Sequence, residues 1–146
     1  MQHDLISFFS ESVEFQLIDK TRYSQWISEL IKQQGKNLGE ISYIFCSDDY
    51  LHELNLAHLN HDTLTDIITF DYTHAGIISG DLFISVDRVK ENAASFQVDF
   101  LLEMKRVMAH GVLHLIGFND KTTAEKKVMR KEEDKAISLF SNEHDI

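Results

Sequence analysis

Apolar residues recur along the chain at two spacings, every second position or every third to fourth position, and the spacing switches several times. Alternation over Val13–Ile18 predicts a strand, and so do the apolar, β-rich runs over Ile41–Cys46, Asp66–Tyr72 and Ile77–Val86. The four residues Thr73–Gly76 separate the last two runs and predict a hairpin turn. The pattern therefore indicates about four strands.

Helical spacing dominates elsewhere. It predicts helices over Lys20–Gln34, from a cap at Ser47–Asp49 to Asn60, and over Asp87–Phe96, Asp99–Ile116 and Thr122–Phe140, with a frayed tail over 141–146. These elements predict a single compact α+β domain over residues 1–146. We expect a mixed sheet of about four strands packed with about five helices, and the most informative helix spans residues 99–117.

Composition agrees with one globular domain. The chain has 146 residues, of which 43% are hydrophobic, enough for a substantial core. No uncharged apolar run approaches the roughly 20 residues that cross a bilayer, and the N-terminus lacks a basic region followed by an apolar one. The lone cysteine, Cys46, cannot form an internal disulfide, which fits a reducing compartment. We expect a cytoplasmic protein without a membrane partner.

Charge is distributed unevenly. The formal net charge is −10, and all of it comes from residues 1–87, which hold 4 Lys and Arg against 14 Asp and Glu; residues 88–146 hold 10 of each. Phosphate neutralisation normally dominates nucleic-acid binding, so indiscriminate binding is disfavoured. Basic residues remain available on the last two helices, where an ordinary solvated face explains them equally well.

Candidate metal chemistry lies in the segment from His110 to Asp120. His110 and His114 are four residues apart on the predicted helix, so both imidazoles leave the same face. Asp120 can join them only if the helix stops first, and Gly117 is suited to end it. A His-x-x-x-His pair alone is often incidental, but the glycine and the carboxylate strengthen the case. Two His and one carboxylate would leave a position open, as in catalytic zinc sites.

Three segments resemble one known family. His110-Gly-Val-Leu-His-Leu-Ile-Gly-Phe118, Leu54-Asn55 with Thr65-Asp-Ile-Ile-Thr-Phe70, and Gly80-Asp-Leu-Phe-Ile84 are similar, in order and spacing, to motifs of the bacterial YbeY endoribonucleases. The resemblance implies a zinc-dependent, single-strand-specific endoribonuclease that acts in rRNA maturation, at the small-subunit rRNA 3′ end, and in ribosome quality control. It also implies one Zn²⁺ per chain and an rRNA substrate on the small ribosomal subunit, with no DNA substrate. Because the chain is acidic, we expect a protein partner to supply the docking.

The chain departs from the family pattern at two positions. The family has His as third ligand where this chain has Asp120, and a harder carboxylate ligand makes other divalent metals more acceptable. The family also has an arginine four residues after the Leu-Asn asparagine, where this chain has Leu59. His58 or His61 nearby could supply the missing cation; otherwise nuclease activity is weak.

Further candidates surround the metal motif. Asp66, with Thr65, either forms a turn or approaches the metal helix, where Asp66 could accept a proton from a ligand imidazole and fix its tautomer. Gly80 and Asp81 interrupt a strand pattern, and glycine there often marks a close approach by another backbone or by a ligand. A substrate strand could lie against them.

Two other classes of function stay open. A metalloprotease would use a glutamate directly after the first histidine, but Gly111 stands there, so Glu103 would have to serve instead. A noncatalytic ribosome-assembly factor with a structural metal is favoured by Leu59 and by the acidic charge. The general base, the RNA cleavage site and the oligomeric state are not readable from the sequence.

Overall fold

The computed structural model of the protein describes residues 5–59 and 65–144, with backbone alone for Leu59 and residues 141–144. Within these ranges the strands are β1 (Ile6–Glu11), β2 (Asn37–Cys46), β3 (Ile67–Asp71) and β4 (Ile77–Ser85). The helices are α1 (Lys20–Gln33), α2 (Asp48–Leu59), α3 (Val86–Phe96), α4 (Phe100–Ile116) and α5 (Thr123–His144).

The four strands form one mixed sheet in the order β1-β2-β4-β3. β1, β2 and β4 run parallel, and β3 pairs antiparallel with β4 through the predicted hairpin. The sheet and its five helices confirm the predicted α+β class. None of the helices within the described ranges is long and apolar enough to cross a membrane. The domain bounds of 1–146 stay a prediction.

The first strand was predicted in the wrong place. β1 pairs with β2, whereas Val13–Ile18 forms no strand. Ser12 has a φ of 59° and turns the chain after β1. Phe15 then packs inward, with its ring edge-on to Phe45 at 5.0 Å between centroids. The apolar alternation comes from an irregular segment that dips into the core, which produces the period of a strand without a pairing partner.

Two boundaries also differ from the prediction. β2 begins at Asn37, four residues early, because its backbone N–H donates to the Gly76 carbonyl and extends the pairing with β4. α5 continues to His144, through part of the predicted tail. Phe140 anchors this end of the helix, with its ring perpendicular to that of Trp26 at 5.2 Å.

The core is divided between the two faces of the sheet. The larger cluster lies where α1, α4 and α5 cover one face, and it contains Trp26, whose indole Nε1–H donates to the Ala136 carbonyl at 2.7 Å. The smaller cluster lies beneath α2 on the other face and contains Cys46, Leu51 and Ile68. The metal-motif helix α4 therefore belongs to the main core.

Two glycines let α4 lie close to the sheet. A Cβ on Gly111 would meet Ile67 Cδ1 at 2.7 Å, and a Cβ on Gly80 would meet the Phe70 carbonyl oxygen at 2.6 Å and Leu115 Cδ2 at 3.0 Å. Gly80 is buried in an inner strand, and Leu115 covers the face where a substrate strand was predicted to lie. Gly80 therefore serves helix–sheet packing.

The burial of Cys46 predicts that its thiol does not react in the folded protein. The side chain is fully buried, its S–H donates to the Ile84 carbonyl at 3.5 Å, and burial raises its pKa to about 12, with the carboxylates of Asp48, Asp87 and Glu11 adding to the shift. The folded protein should not react with a thiol reagent at pH 8, whereas the same protein in urea should react fully. The reaction is followed by absorbance. Fast labelling of the folded protein would contradict this burial.

The raised pKa of Cys46 also predicts that the free energy of unfolding decreases at alkaline pH. A folded-state pKa above the unfolded value, which is about 8.5, stabilises the fold below that pH. The Cys46 contribution is therefore lost as the pH rises from about 8.5 towards 12. Cys46→Ala should remove this component of the alkaline decline, and urea melts at several pH values measure it.

Candidate metal centre

Two imidazoles on the last turns of α4 face one another. His110 and His114 are four residues apart, which is the spacing of neighbours on one helix face. Their ring centroids are 4.5 Å apart, and their Nε2 atoms are 3.0 Å apart. Both side chains are about three-quarters buried, so their Nε2 atoms converge beside the core rather than in open solvent.

A short loop follows these histidines, and both of its ends are fixed. α4 ends at Ile116 because Gly117 takes a φ of 125°, and the backbone N–H of Phe118 returns to the Leu113 carbonyl at 3.0 Å. At the start of α5, the Glu125 carboxylate accepts from the Thr122 backbone N–H at 2.9 Å, and Thr122 Oγ1 accepts from the Glu125 N–H at 3.1 Å. This reciprocal cap orients the loop between the two helices.

The loop brings Asp120 back to the histidines, as the helix stop at Gly117 predicted. Its Oδ2 atom lies 3.2 Å from His110 Nε2 and 3.3 Å from His114 Nε2. Ligands about 2.0–2.2 Å from a tetrahedral ion are roughly 3.3 Å from each other, so three such donors form one face of a tetrahedron. His110, His114 and Asp120 could therefore hold a metal ion.

A fourth side chain, not identified from the sequence, orients the first histidine. Glu133 on α5 accepts from His110 Nδ1 at 2.7 Å and is itself only 5% exposed. Its other oxygen accepts from Arg106 at 3.1 Å. With the proton of His110 held on Nδ1, the lone pair of Nε2 points towards Asp120, as metal ligation requires.

The electrostatics of His110 reflect this arrangement. Burial acts to lower its pKa, but the hydrogen bond and charge of Glu133, with smaller contributions from Asp120 and Asp66, raise the pKa of His110 overall. A surrounding that stabilises an imidazolium also stabilises a cation bound in its place. The carboxylates therefore favour a positive ion at Nε2.

A cavity of about 310 Å³ opens beside His110 and Asp120. Its lining is mostly polar and charged. It comprises Asp66, Asn92, Phe96, Glu103, Arg106, Val107, His110, Asp120, Arg130 and Glu133. A ligand in the cavity would thus contact the metal-site residues, two arginines and an exposed aromatic ring together.

The structure places Asp66 near the centre but not on the Nδ1 atom of His110. Asp66 lines the cavity, and burial, the largest effect, raises its pKa against the charge of His110. The prediction that Asp66 fixes the imidazole tautomer is wrong for His110, because Glu133 occupies Nδ1. Thr65 donates through Oγ1 to the Ile67 carbonyl at 3.3 Å, the local turn that was the alternative interpretation.

The remaining candidates lie apart from the centre or outside the described residues. Asp81 faces the side of the sheet opposite α4, where it accepts from the Tyr72 hydroxyl at 3.2 Å. His58 lies on α2 with its ring edge-on to Phe70 at 6.2 Å. His61 falls outside the described residues.

A histidine pair on a helix, closed by a carboxylate and set beside an acidic and basic cavity on an α+β sheet, is typical of a metal-dependent hydrolase. The sequence model of the endoribonuclease YbeY family matches residues 7–141. The chain therefore belongs to the YbeY family, as the sequence motifs predicted.

Individual relatives agree with this assignment. The endoribonuclease YbeY of Flavobacterium johnsoniae is 52% identical over 132 residues, covering 90% of this chain and 95% of the relative. The endoribonuclease YbeY of Christiangramia forsetii is 49% identical over 140 residues, covering 96% and 97%. The fold is similar to the solution structure of TM1509 from Thermotoga maritima, with a TM-score of 0.66 at 24% identity, covering 94% of this chain and 90% of that one.

Glu133 provides a test of the geometry. Glu133→Gln keeps the shape of the side chain but removes the charge that orients His110, so metal affinity should fall about 10- to 100-fold. A chelator-competition titration measures this. Glu132→Gln is the matched control, because Glu132 instead contacts Gln34 and Lys135. Equal affinities for the two variants would show that the Glu133 contact does not support the centre.

Proposed function

We propose that this protein is a metal-dependent, single-strand-specific endoribonuclease that acts in rRNA maturation at the small-subunit 3′ end and in ribosome quality control. Family membership supports the reaction, and the convergence of three ligand atoms within 3.3 Å supports the metal dependence. The chain would act as one domain over residues 1–146, in the cytoplasm, without a membrane or DNA partner.

Zinc is the metal that we propose, with one ion per chain held by His110, His114 and Asp120. Two neutral imidazoles favour zinc, and the carboxylate makes manganese or magnesium more acceptable than a third histidine would. A bound divalent ion would bind a nonbridging phosphate oxygen and lower the pKa of a water molecule. The chain's own contribution is to orient the ligands and to hold the RNA strand.

The two arginines that line the cavity differ in their exposure and in their ion pairs. Arg106 is 15% exposed and is held by Glu133 and Asp134 at 3.1 and 3.0 Å. Arg130 is 61% exposed, and its nearest carboxylate oxygen, on Glu133, is 3.9 Å away. A guanidinium binds phosphate through paired N–H donors. Arg130 is therefore suited to contact a phosphate near the metal, which compensates for the leucine at position 59.

The structure favours this function over a metalloprotease. Gly111, which stands where such an enzyme carries its glutamate, packs against the sheet. Glu103 lies seven residues before His110, or about 10 Å along the helix axis, and farther from His114. Neither position puts a carboxylate beside a metal-bound water. A noncatalytic assembly factor is the alternative that the RNA assay decides.

Docking on the ribosome requires more than the cavity and its two arginines. The net charge of −10 gives RNA little long-range attraction. We propose that a protein partner on the small ribosomal subunit positions the chain, so that the local arginines contact only the strand that is cut.

The RNA assay uses a labelled single-stranded RNA with the parent protein, His114→Ala and the Glu132→Gln control. The parent and the control should cut slowly, and chelation or His114→Ala should reduce cutting at least about 100-fold, because the ion loses one of its protein ligands. Product bands on a gel give the rates. Cleavage by His114→Ala at the parent rate would contradict the proposal that this protein is the enzyme. Absence of cutting by all proteins, even with ribosomal subunits present, would favour the assembly factor.

The third ligand predicts a shift in metal preference. Asp120→His should favour zinc over manganese relative to the parent, since imidazole is the softer ligand, and Asp120→Ala should weaken binding without abolishing it. Competition between the two metals, read by mass spectrometry of the native protein, measures the preference. Parent-like affinity in Asp120→Ala would mean that the third ligand lies elsewhere.

A further inference from the structure

One carboxyl group in the cavity has no partner. Glu103 is 4% exposed and lines the cavity, yet its carboxyl makes no hydrogen bond or ion pair with any residue in the described ranges. Within the described ranges the buried side-chain atoms without a hydrogen-bond partner are Arg22 Nε and Arg88 Nε, so the carboxyl oxygens of Glu103 are accessible from the cavity that Glu103 lines. Burial, partly opposed by the charge of Arg106, raises the pKa of Glu103. The fold thus keeps a hydrogen-bonding group ready for something outside the chain.

The basic side chain one turn away lowers the pKa of Glu103 through its charge but makes no ion pair with it. Arg106 follows Glu103 by one turn of α4, but its Nη1 atom is directed to Glu133 and Asp134. Asp66 and Glu133, two acidic groups that also line the cavity, raise its pKa further rather than pairing with it. A ligand for Glu103 must therefore bring its own hydrogen-bond donors.

The opposite wall of the cavity comes from α3. Asn92 and Phe96 are four residues apart there, so they are neighbours on one helix face. The Phe96 side chain is 58% exposed although it borders a polar cavity. An exposed ring beside hydrogen-bonding groups suits a planar, polar ligand, since such a ligand stacks through its face and is recognised along its edge. About 310 Å³ is at the lower limit of small-molecule pockets, so the space suits one such group.

We propose that this cavity binds one base of the RNA strand beside the cleaved bond, with Phe96 stacking on the base and Glu103 and Asn92 hydrogen-bonding its edge. This inference rests on the proposed endoribonuclease function and adds a base preference to it. The amino groups of adenine, cytosine and guanine donate to a carboxyl oxygen, whereas uracil presents two carbonyl oxygens around a single N–H. The site therefore prefers bases that carry an amino group over uracil.

The test measures binding of the four nucleoside 5′-monophosphates to the metal-loaded protein by calorimetry. The parent should bind AMP, CMP and GMP about tenfold more tightly than UMP. Glu103→Gln should reduce this preference to about threefold or less, because an amide can donate to a uracil oxygen. Glu40→Gln, which removes an exposed carboxylate of β2, is the matched control and should keep the parent's preference.

A second variant tests the stacking contact without disturbing the core. Phe96→Ala removes a largely exposed ring, so the protein should stay folded while all four nucleotides bind about tenfold more weakly and the preference stays unchanged. Circular dichroism checks the fold of every variant. Parent-like affinity in Phe96→Ala would overturn the stacking contact.

The outcomes separate this inference from the proposed function. An absence of base preference in the parent, or an unchanged preference in folded Glu103→Gln, overturns the base site even if the protein cuts RNA in a metal-dependent way. A Glu103-dependent preference in a protein that does not cut RNA supports the base site and counts against the endoribonuclease proposal alone.

Discussion

The hydrogen bond between Glu133 and His110 Nδ1 is the interaction on which the centre depends. It joins α5 to α4 through a buried carboxylate, and such a group is tolerated only when its charge is compensated. Arg106 provides that compensation from the same helix as His110. The packing of α5 on α4 and the orientation of His110 therefore depend on each other. Separating the two helices, or turning His110 away, would leave a buried charge without a partner.

α4 serves the core and the candidate site at once. Its apolar side packs on the sheet, where Gly111 permits close approach, and the Tyr43 hydroxyl donates to the Met108 carbonyl at 2.9 Å. Its other side carries His110 and His114. Since a close-packed helix cannot rotate without disturbing the core, the directions of the two imidazoles are fixed before any ion binds. The loop to α5 then needs only a few residues to place Asp120.

The convergence of the three candidate ligands was predictable because it is local in sequence. Four residues between two histidines, and a glycine before an aspartate, describe one helix and its end, which short-range backbone rules govern. Glu133 lies 23 residues from His110, and its contact exists only after α5 packs on α4. One signal was available: Glu133 falls on the buried side of α5, between Met129 and Ala136, where a carboxylate needs a partner.

The fold was predictable wherever apolar spacing coincided with pairing. The prediction failed at Val13–Ile18, because inward-facing side chains of an irregular segment have the same apolar period as a strand. The parallel pairing of β1 with β2 is a long-range property that no local pattern records. Glu103 was noted in the sequence only as a possible protease base; its burial beside the cavity is a property of the packed structure.

Neither Asp120 nor Leu59 brings positive charge to the candidate site. Asp120 is an anionic candidate ligand, and Leu59 is apolar. A phosphate would therefore meet a more negative surrounding unless cations from elsewhere approach it. In the folded chain these cations are Arg106 and Arg130, and Glu133 neutralises much of the first while leaving the second nearly free. Since Arg130 and Glu133 are one turn apart on α5, the helix that orients His110 also carries the more exposed of the two cavity guanidiniums.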